Sequence, residues 1–96
     1  MKREQVIATL RAHEAELKSA GILRLALFGS VARGQEGNDV DLLATFDEAQ
    51  RLSLIDVVGL EQRLEQLLGA QVDLIQEGTL KEGLRERVEQ ELVRAF

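Results

Sequence analysis

Asp39 and Asp41 open the run DVDLL at 39–43 and are the pair in this sequence whose spacing points most directly to chemistry. The segment Asp39–Phe46, DVDLLATF, has the apolar content of a strand. Residues two apart on a strand face the same side. Two carboxylates on one face repel each other, and a divalent cation removes that repulsion. Hard oxygen donors suit Mg²⁺, which takes one or two carboxylates and completes its shell with water and substrate phosphates. The pair therefore implies a phosphate-bearing partner rather than a structural metal. Upstream, LFGSVARG at 27–34 sets an apolar run against Gly29-Ser30 and closes on Arg33-Gly34. A strand ending in glycine, followed by a helix, exposes unpaired backbone N–H groups that bind anions. Ser30 adds a hydroxyl and Arg33 a positive charge. Asp73, between Val72 and Leu74 in QVDLIQ, is a third carboxylate. On a strand beside the second it would reach Asp39 and Asp41 and could accept the proton of an attacking hydroxyl. A phosphate cradle with metal-binding carboxylates is the equipment of phosphoryl or nucleotidyl transfer.

Taken singly, each feature has a plainer reading. Gly29-Ser30 fits a capped turn, Asp39 and Asp41 the solvated face of an edge strand, Asp73 an exposed strand residue, and Arg33 a surface charge. His13 lies on an apolar helical stripe, where a packed histidine is the ordinary case. The joint, ordered pattern is what favours the chemical reading.

The elements that must position these residues follow from length and periodicity. Ninety-six residues make one small domain, 1–96. A chain of this size buries roughly 60–65% of its unfolded surface, enough for a modest core. The chain has no Cys, which excludes disulfides and cysteine zinc sites and fits an intracellular, cytoplasmic protein. No signal peptide or membrane-spanning run is expected. A net charge of −5 argues against strong non-specific nucleic-acid binding, which needs many Lys/Arg–phosphate contacts.

Val6, Leu10, His13 and Leu17 mark one helix over 3–19, ended by Gly21. Ile22–Phe28, ILRLALF, reads as a strand buried on both faces. Residues 30–34 form a short helical turn and 35–38 a loop. A second helix spans 53–68, capped by Ser53 with Asp56 and closed by Gly69. Its apolar face is Leu54, Val57, Leu60, Leu64, Leu67 and Leu68. Gln71–Gln76 is a third strand. Thr79 and Glu82 suggest a capping box for a last helix with the stripe Leu80, Leu84, Val88 and Leu92, and with Arg85–Glu89 and Arg87–Glu91 pairs. The order is αβαβαβα, an α/β (α+β) class with a sheet of about three strands covered by helices.

LFGSVARG at 27–34, DVDLL at 39–43 and VDLI at 72–75 together resemble the minimal nucleotidyltransferases, the small MntA-like members of the DNA polymerase β-type superfamily. Asn38 stands where members often carry Ser, a residue able to make a similar turn. The resemblance implies the nucleotidyltransferase fold, a mixed sheet flanked by helices. It implies that Gly29 and Ser30 hold the β- and γ-phosphates of ATP. Asp39 and Asp41 would bind Mg²⁺, two ions in the family's pattern. Asp73 would complete the metal site and help deprotonate the acceptor. Arg33 would touch phosphate or brace the motif.

The implied reaction is transfer of AMP from ATP to a hydroxyl. Stand-alone members resemble the antitoxin halves of HEPN–MNT toxin–antitoxin pairs, in which the MNT protein adenylylates a tyrosine of the HEPN ribonuclease. Two other readings stay open: an antitoxin that neutralises its partner by binding alone, and a small-molecule, antibiotic-type nucleotidyltransferase. The expected lack of an acceptor-binding domain weighs against the second, and the three carboxylates weigh against the first.

Overall fold

The structure, a computed structural model, describes residues 2–35 and 39–96. Beyond Gln35, the loop expected over 35–38 lies outside the described residues, and Asn38 with it. The first helical stretch is two helices rather than one: α1 (Arg3–Ala12) and α2 (Glu14–Ser19). They part at His13, whose backbone leaves the helical region at φ −110°, ψ 17°. There the His13 N–H donates to Leu10 O at 3.2 Å, a tightened turn, and the ring Nδ1 bonds Thr9 O at 2.9 Å. Val6, Leu10 and Leu17 are nevertheless all buried, as the apolar spacing requires.

The chain continues through β1 (Ile22–Phe28), the short α3 (Gly29–Ala32), β2 (Asp39–Phe46), a 3-10 turn at Glu48–Gln50, α4 (Leu54–Leu68), β3 (Gln71–Gln76), α5 (Glu82–Glu91) and β4 (Val93–Arg94). The sheet order is β3-β2-β1-β4. β2 runs antiparallel to β1 and parallel to β3, and β4 pairs antiparallel with β1, so the sheet is mixed. It has four strands where the sequence predicts about three. The added strand is only two residues long, Val93 facing Leu27 and Arg94 facing Ala26, too short to show alternation. The backbone extends this pairing: Ala95 N–H donates to Leu25 O at 2.9 Å, and Leu25 N–H to Phe96 O at 3.3 Å.

Leu25 and Leu27 of β1, Val40, Leu42 and Ala44 of β2, and Val72 and Leu74 of β3 fill one face of the sheet. Val6, Leu10, Leu17, Leu60, Leu64 and Leu68 from α1, α2 and α4 join them in the same cluster. Burying each such side chain contributes roughly 1.5–3 kcal/mol relative to leaving it exposed. The opposite face is covered only in part, by α5, whose buried Val88 shares a small cavity with Leu43 and Leu92, while the buried Val31 and Ala32 of α3 belong to the main cluster. β1 is therefore not buried on both faces; Arg24 is exposed and Leu23 is 44% exposed.

Ser53 caps α4 in a reciprocal box: its Oγ accepts from Asp56 N–H at 3.1 Å, and Asp56 Oδ2 accepts from Ser53 N–H at 2.8 Å. Gly69 closes the helix at φ 65°. Leu54 does not join the apolar face; the first turn of α4 leaves it 80% exposed. A bidentate Arg63–Glu16 pair, 2.7 and 2.9 Å, ties α4 to α2. The capping box expected at Thr79 and Glu82 does not form. Thr79 Oγ1 donates instead to Gln76 O at 2.7 Å, and α5 starts after Lys81. Arg85 and Glu89 pair as expected at 3.1 Å, but Glu91 bonds Arg33 rather than Arg87. Leu84, expected on the stripe, is 51% exposed because α5 meets the sheet chiefly through Val88. Among the described residues no helix is long and apolar enough to cross a membrane.

Candidate active site

β2 is the strand around which the site is built. Alternation puts Val40, Leu42 and Ala44 into the core and leaves Asp39 and Asp41 together on the opposite face. Parallel pairing with β3 then sets Asp41 directly against Asp73 and Asp39 against Gln71. Neighbouring strands lie about 4.8 Å apart, so the Asp41 and Asp73 carboxylates are immediate neighbours. Asp39, Asp41, Gln71, Val72 and Asp73 line a cleft of about 230 Å³. A second, adjoining hollow shares Asp39 and Gln71 and reaches Gly69 and Ala70.

Antiparallel pairing with β1 brings the other half. Phe28, the last residue of β1, faces Asp41, so the next residue, Gly29, begins α3 beside that carboxylate. Gly29 has φ +75°, and a Cβ there would fall on Asp41 Oδ2 and lie 3.2 Å from Asp41 Cγ. Glycine is needed here both for backbone conformation and for room. Ser30 follows at once, half-buried, in a four-residue helix that its own turn bonds close: Arg33 N–H to Gly29 O and Gln35 N–H to Ser30 O.

Arg33 is held by the other layer of the protein. Its Nη1 donates to Glu91 Oε2 at 3.0 Å, tying α3 to the end of α5. It still acts electrostatically on Asp41. Burial pushes the Asp41 carboxyl above its ordinary value, Asp73 and Asp39 push it further the same way, and Arg33 pulls it down. The net shift is upward, with burial the largest cause. Among the described residues none of the three carboxylates accepts a hydrogen bond or pairs with a cation.

No group of three or more Asp, Glu, His or Cys side chains among the described residues is gathered tightly enough to form a metal cage by itself. The donor set fits Mg²⁺ in its usual manner, with one or two carboxylates and the remaining positions left to water and phosphate. Asp39 and Asp41 would hold such an ion, with Asp73 alongside.

Sequence reasoning brings out Asp39, Asp41, Asp73, Gly29, Ser30 and Arg33, and the fold gathers all six around the start of β2 and β3. It misses the residues that hold them. Arg3 of α1 donates through Nη1 to Ala32 O at 3.1 Å and so fixes the end of α3. Glu91 anchors Arg33. Gln71 enters the cleft as the register partner of Asp39. Glu65 and Glu61 of α4 accept from the backbone N–H groups of Val72 and Leu74, on either side of Asp73. These are contacts between elements distant in sequence, for which one chain offers no periodic signal.

Comparison with known proteins agrees with this geometry. The nucleotidyltransferase domain family model matches residues 10–95. The protein adenylyltransferase MntA of Thermococcus cleftensis is 40% identical over 93 residues, covering 94% of this chain and 92% of that protein. A solved structure ascribed to a minimal nucleotidyltransferase superposes with a TM-score of 0.80 at 38% identity, covering 97% of this chain and 95% of the other. A solved complex of a tri-AMPylated HEPN toxin with an MNT antitoxin from Shewanella oneidensis shares the fold, with a TM-score of 0.60 at 21% identity. It covers 88% of this chain and 70% of that one. The strand that pairs two acidic positions in register, the glycine seated on one of them and these relatives agree: the chain belongs to the nucleotidyltransferase domain family, among its minimal, MntA-like members.

Proposed function

We propose that residues 1–96 act as one cytoplasmic domain that transfers AMP from ATP, with Mg²⁺, to a tyrosine hydroxyl of a HEPN-family ribonuclease, and so serves as its antitoxin. The observation that carries the reading is the in-register pair Asp41 and Asp73, with Asp39 beside them and Gly29 packed on Asp41. The MntA name of the Thermococcus relative and the AMPylated toxin in the Shewanella complex support the choice of reaction and partner.

The roles divide by position. Mg²⁺, when bound, neutralises phosphate charge and orients the triphosphate. Asp39 and Asp41 would hold it, lining the cleft with Asp73. Gly29 allows the triphosphate close to the backbone, and the Ser30 hydroxyl donates to a phosphate oxygen. Asp73 accepts the proton of the acceptor hydroxyl. The freed oxygen forms a bond to the α-phosphorus. The bond from that phosphorus to the bridging oxygen of the β-phosphate breaks, and pyrophosphate leaves. Arg33, held by Glu91, braces α3 and offsets part of the carboxylate charge.

The test uses the chain with Mg²⁺-ATP and a HEPN partner encoded beside it, mapping added AMP by mass spectrometry. The sequence contains no Tyr, so tyrosine modification can fall only on the partner. The expected result is AMP on a partner tyrosine and loss of the ribonuclease activity. An Asp39→Asn/Asp41→Asn double variant that silences the partner equally well, without AMP transfer, would overturn the catalytic reading in favour of neutralisation by binding.

A further inference from the structure

β3 is an edge strand of the sheet, and its outer side is not bare. In a parallel pair successive residues turn their N–H groups alternately toward and away from the partner strand. The Val72 and Leu74 N–H groups are taken up by α4. Val72 N–H donates to Glu65 Oε2 at 3.1 Å, and Leu74 N–H to Glu61 Oε2 at 3.4 Å. Glu61 and Glu65 lie one turn apart on α4, beside the buried stripe of Leu60, Leu64 and Leu68, and both are half-buried. The residue enclosed between the two bonds is Asp73. Its side chain projects from the opposite face into the cleft, across from Asp41.

We propose that Glu61 and Glu65 are positioning residues for nucleotidyl transfer, fixing the height and twist of β3 so that the Asp73 carboxylate stays in register with Asp41. This rests on the reading of Asp73 as a residue of the active site. A carboxylate pair has to be held, because Asp41 and Asp73 repel each other in the free protein and nothing among the described residues bridges them. On its inner side β3 has the ladder to β2; on its outer side these two carboxylates supply the anchors. Bonds from a backbone N–H to a carboxylate are among the stronger hydrogen bonds of a protein. A plainer role also exists, since a blocked edge resists pairing with another chain. The two roles differ in what they predict for the cleft.

The experiment compares Glu61→Ala/Glu65→Ala with Glu61→Gln/Glu65→Gln, whose amide oxygens still accept, and with each single Ala variant in case the double variant is poorly folded. Three quantities are read: hydrogen exchange at the Val72 and Leu74 amides in metal-free protein, the Mg²⁺ concentration giving half-maximal transfer, and the sedimentation coefficient. The Ala pair is expected to exchange those two amides roughly tenfold faster or more, with β1 amides unchanged, and to need several times more Mg²⁺. The single Ala variants show smaller shifts of the same sign, and the Gln pair returns both quantities close to the parent. Faster exchange with an unchanged Mg²⁺ requirement, or self-association as the sole change, would overturn the proposal and leave an edge-blocking role. A Gln pair as defective as the Ala pair would also overturn it, because charge rather than the bond would then matter. Asp73→Asn separates the premise: full activity in that variant removes Asp73 from the site, while the exchange result still reports whether α4 holds β3.

Discussion

Replacing Gly29 by Ala separates two roles that one glycine plays. The backbone there sits at φ +75°, where an L-residue costs about 1–2 kcal/mol. At about 4–8 °C per kcal/mol for a domain of this size, Tm should fall by about 4–16 °C. The methyl also lands on Asp41 Oδ2, with Asp41 Cγ at 3.2 Å and Cβ at 3.4 Å. That oxygen is the free end of a side chain facing the cleft, so it can rotate aside at little cost in stability. Its displacement of an ångström or more should instead cost transfer, by about 10²-fold. Gly78 is the matched control. Its φ is +94° and nothing lies within 4 Å of a Cβ built there, so Gly78→Ala carries a backbone cost of the same order without touching a carboxylate. Thermal unfolding and AMP transfer at saturating Mg²⁺-ATP are measured on both. The expected outcome is a similar loss of Tm in the two variants and a loss of transfer in Gly29→Ala alone. Transfer by Gly29→Ala within about threefold of the Gly78→Ala rate would refute the idea that Gly29 makes room for Asp41.

Asp41→Asn removes a partly desolvated charge that Asp73 and Asp39 repel, so it should raise Tm by a few degrees in EDTA at neutral pH and, assayed separately with Mg²⁺-ATP, abolish transfer; a fall in Tm would contradict the electrostatic picture. Mg²⁺ should raise the Tm of the parent chain and not that of Asp39→Asn/Asp41→Asn, as scanning calorimetry with and without EDTA would show. The bonds from Ser53 hold the Asp56 carboxyl below its ordinary 3.8, so their contribution is complete above that value and is lost as pH falls through the lowered one. Asp56→Ala, which removes that carboxylate, should therefore lower Tm measurably at pH 7 and by visibly less near pH 2, and an equal deficit at both would refute the assignment. Glu91→Gln should move Tm by no more than a few degrees, because its pair with Arg33 is half-exposed; a half-exposed pair contributes about 0–1 kcal/mol.

What the sequence makes legible is local. Alternation in DVDLLATF and the cap at Ser53 are properties of a few adjacent residues, and β2, β3 and α4 appear where periodicity puts them. The break at His13 is not periodic, since Val6, Leu10 and Leu17 keep their burial on either side of it. β4 carries two residues and no pattern. Thr79 and Glu82 have capping-box chemistry, but the Thr79 hydroxyl is taken by Gln76 O in the preceding turn. The same distinction divides the site. Residue type and order single out the acids and the Gly-Ser turn. The partners that hold them, Arg3, Glu61, Glu65 and Glu91, are ordinary charged helix residues until the fold brings them across.

The mixed sheet explains why so short a chain can gather these groups. A strand–helix–strand crossover makes β2 and β3 parallel, so both strands start at the same end of the sheet. Asp39 and Gln71 are the first residues of their strands, and Asp41 and Asp73 the third, which places the acids at the strands' beginnings. In a wholly parallel sheet the helix N-termini that follow strands lie at the opposite end, beyond the carboxyl ends of the strands. β1 runs the other way. Its carboxyl end, and therefore Gly29 and the start of α3, arrives at the end where β2 and β3 begin. One antiparallel and one parallel neighbour around the same strand thus bring a glycine turn and three carboxylates to one edge without a second domain. Close approach at Gly29 and register at Asp73 are then independent requirements on β2. A variant that disturbs one should leave the other's signature intact: Gly29→Ala should leave Val72 and Leu74 exchange unchanged, and loss of the α4 carboxylates should leave the parent's sensitivity at Gly29 unchanged.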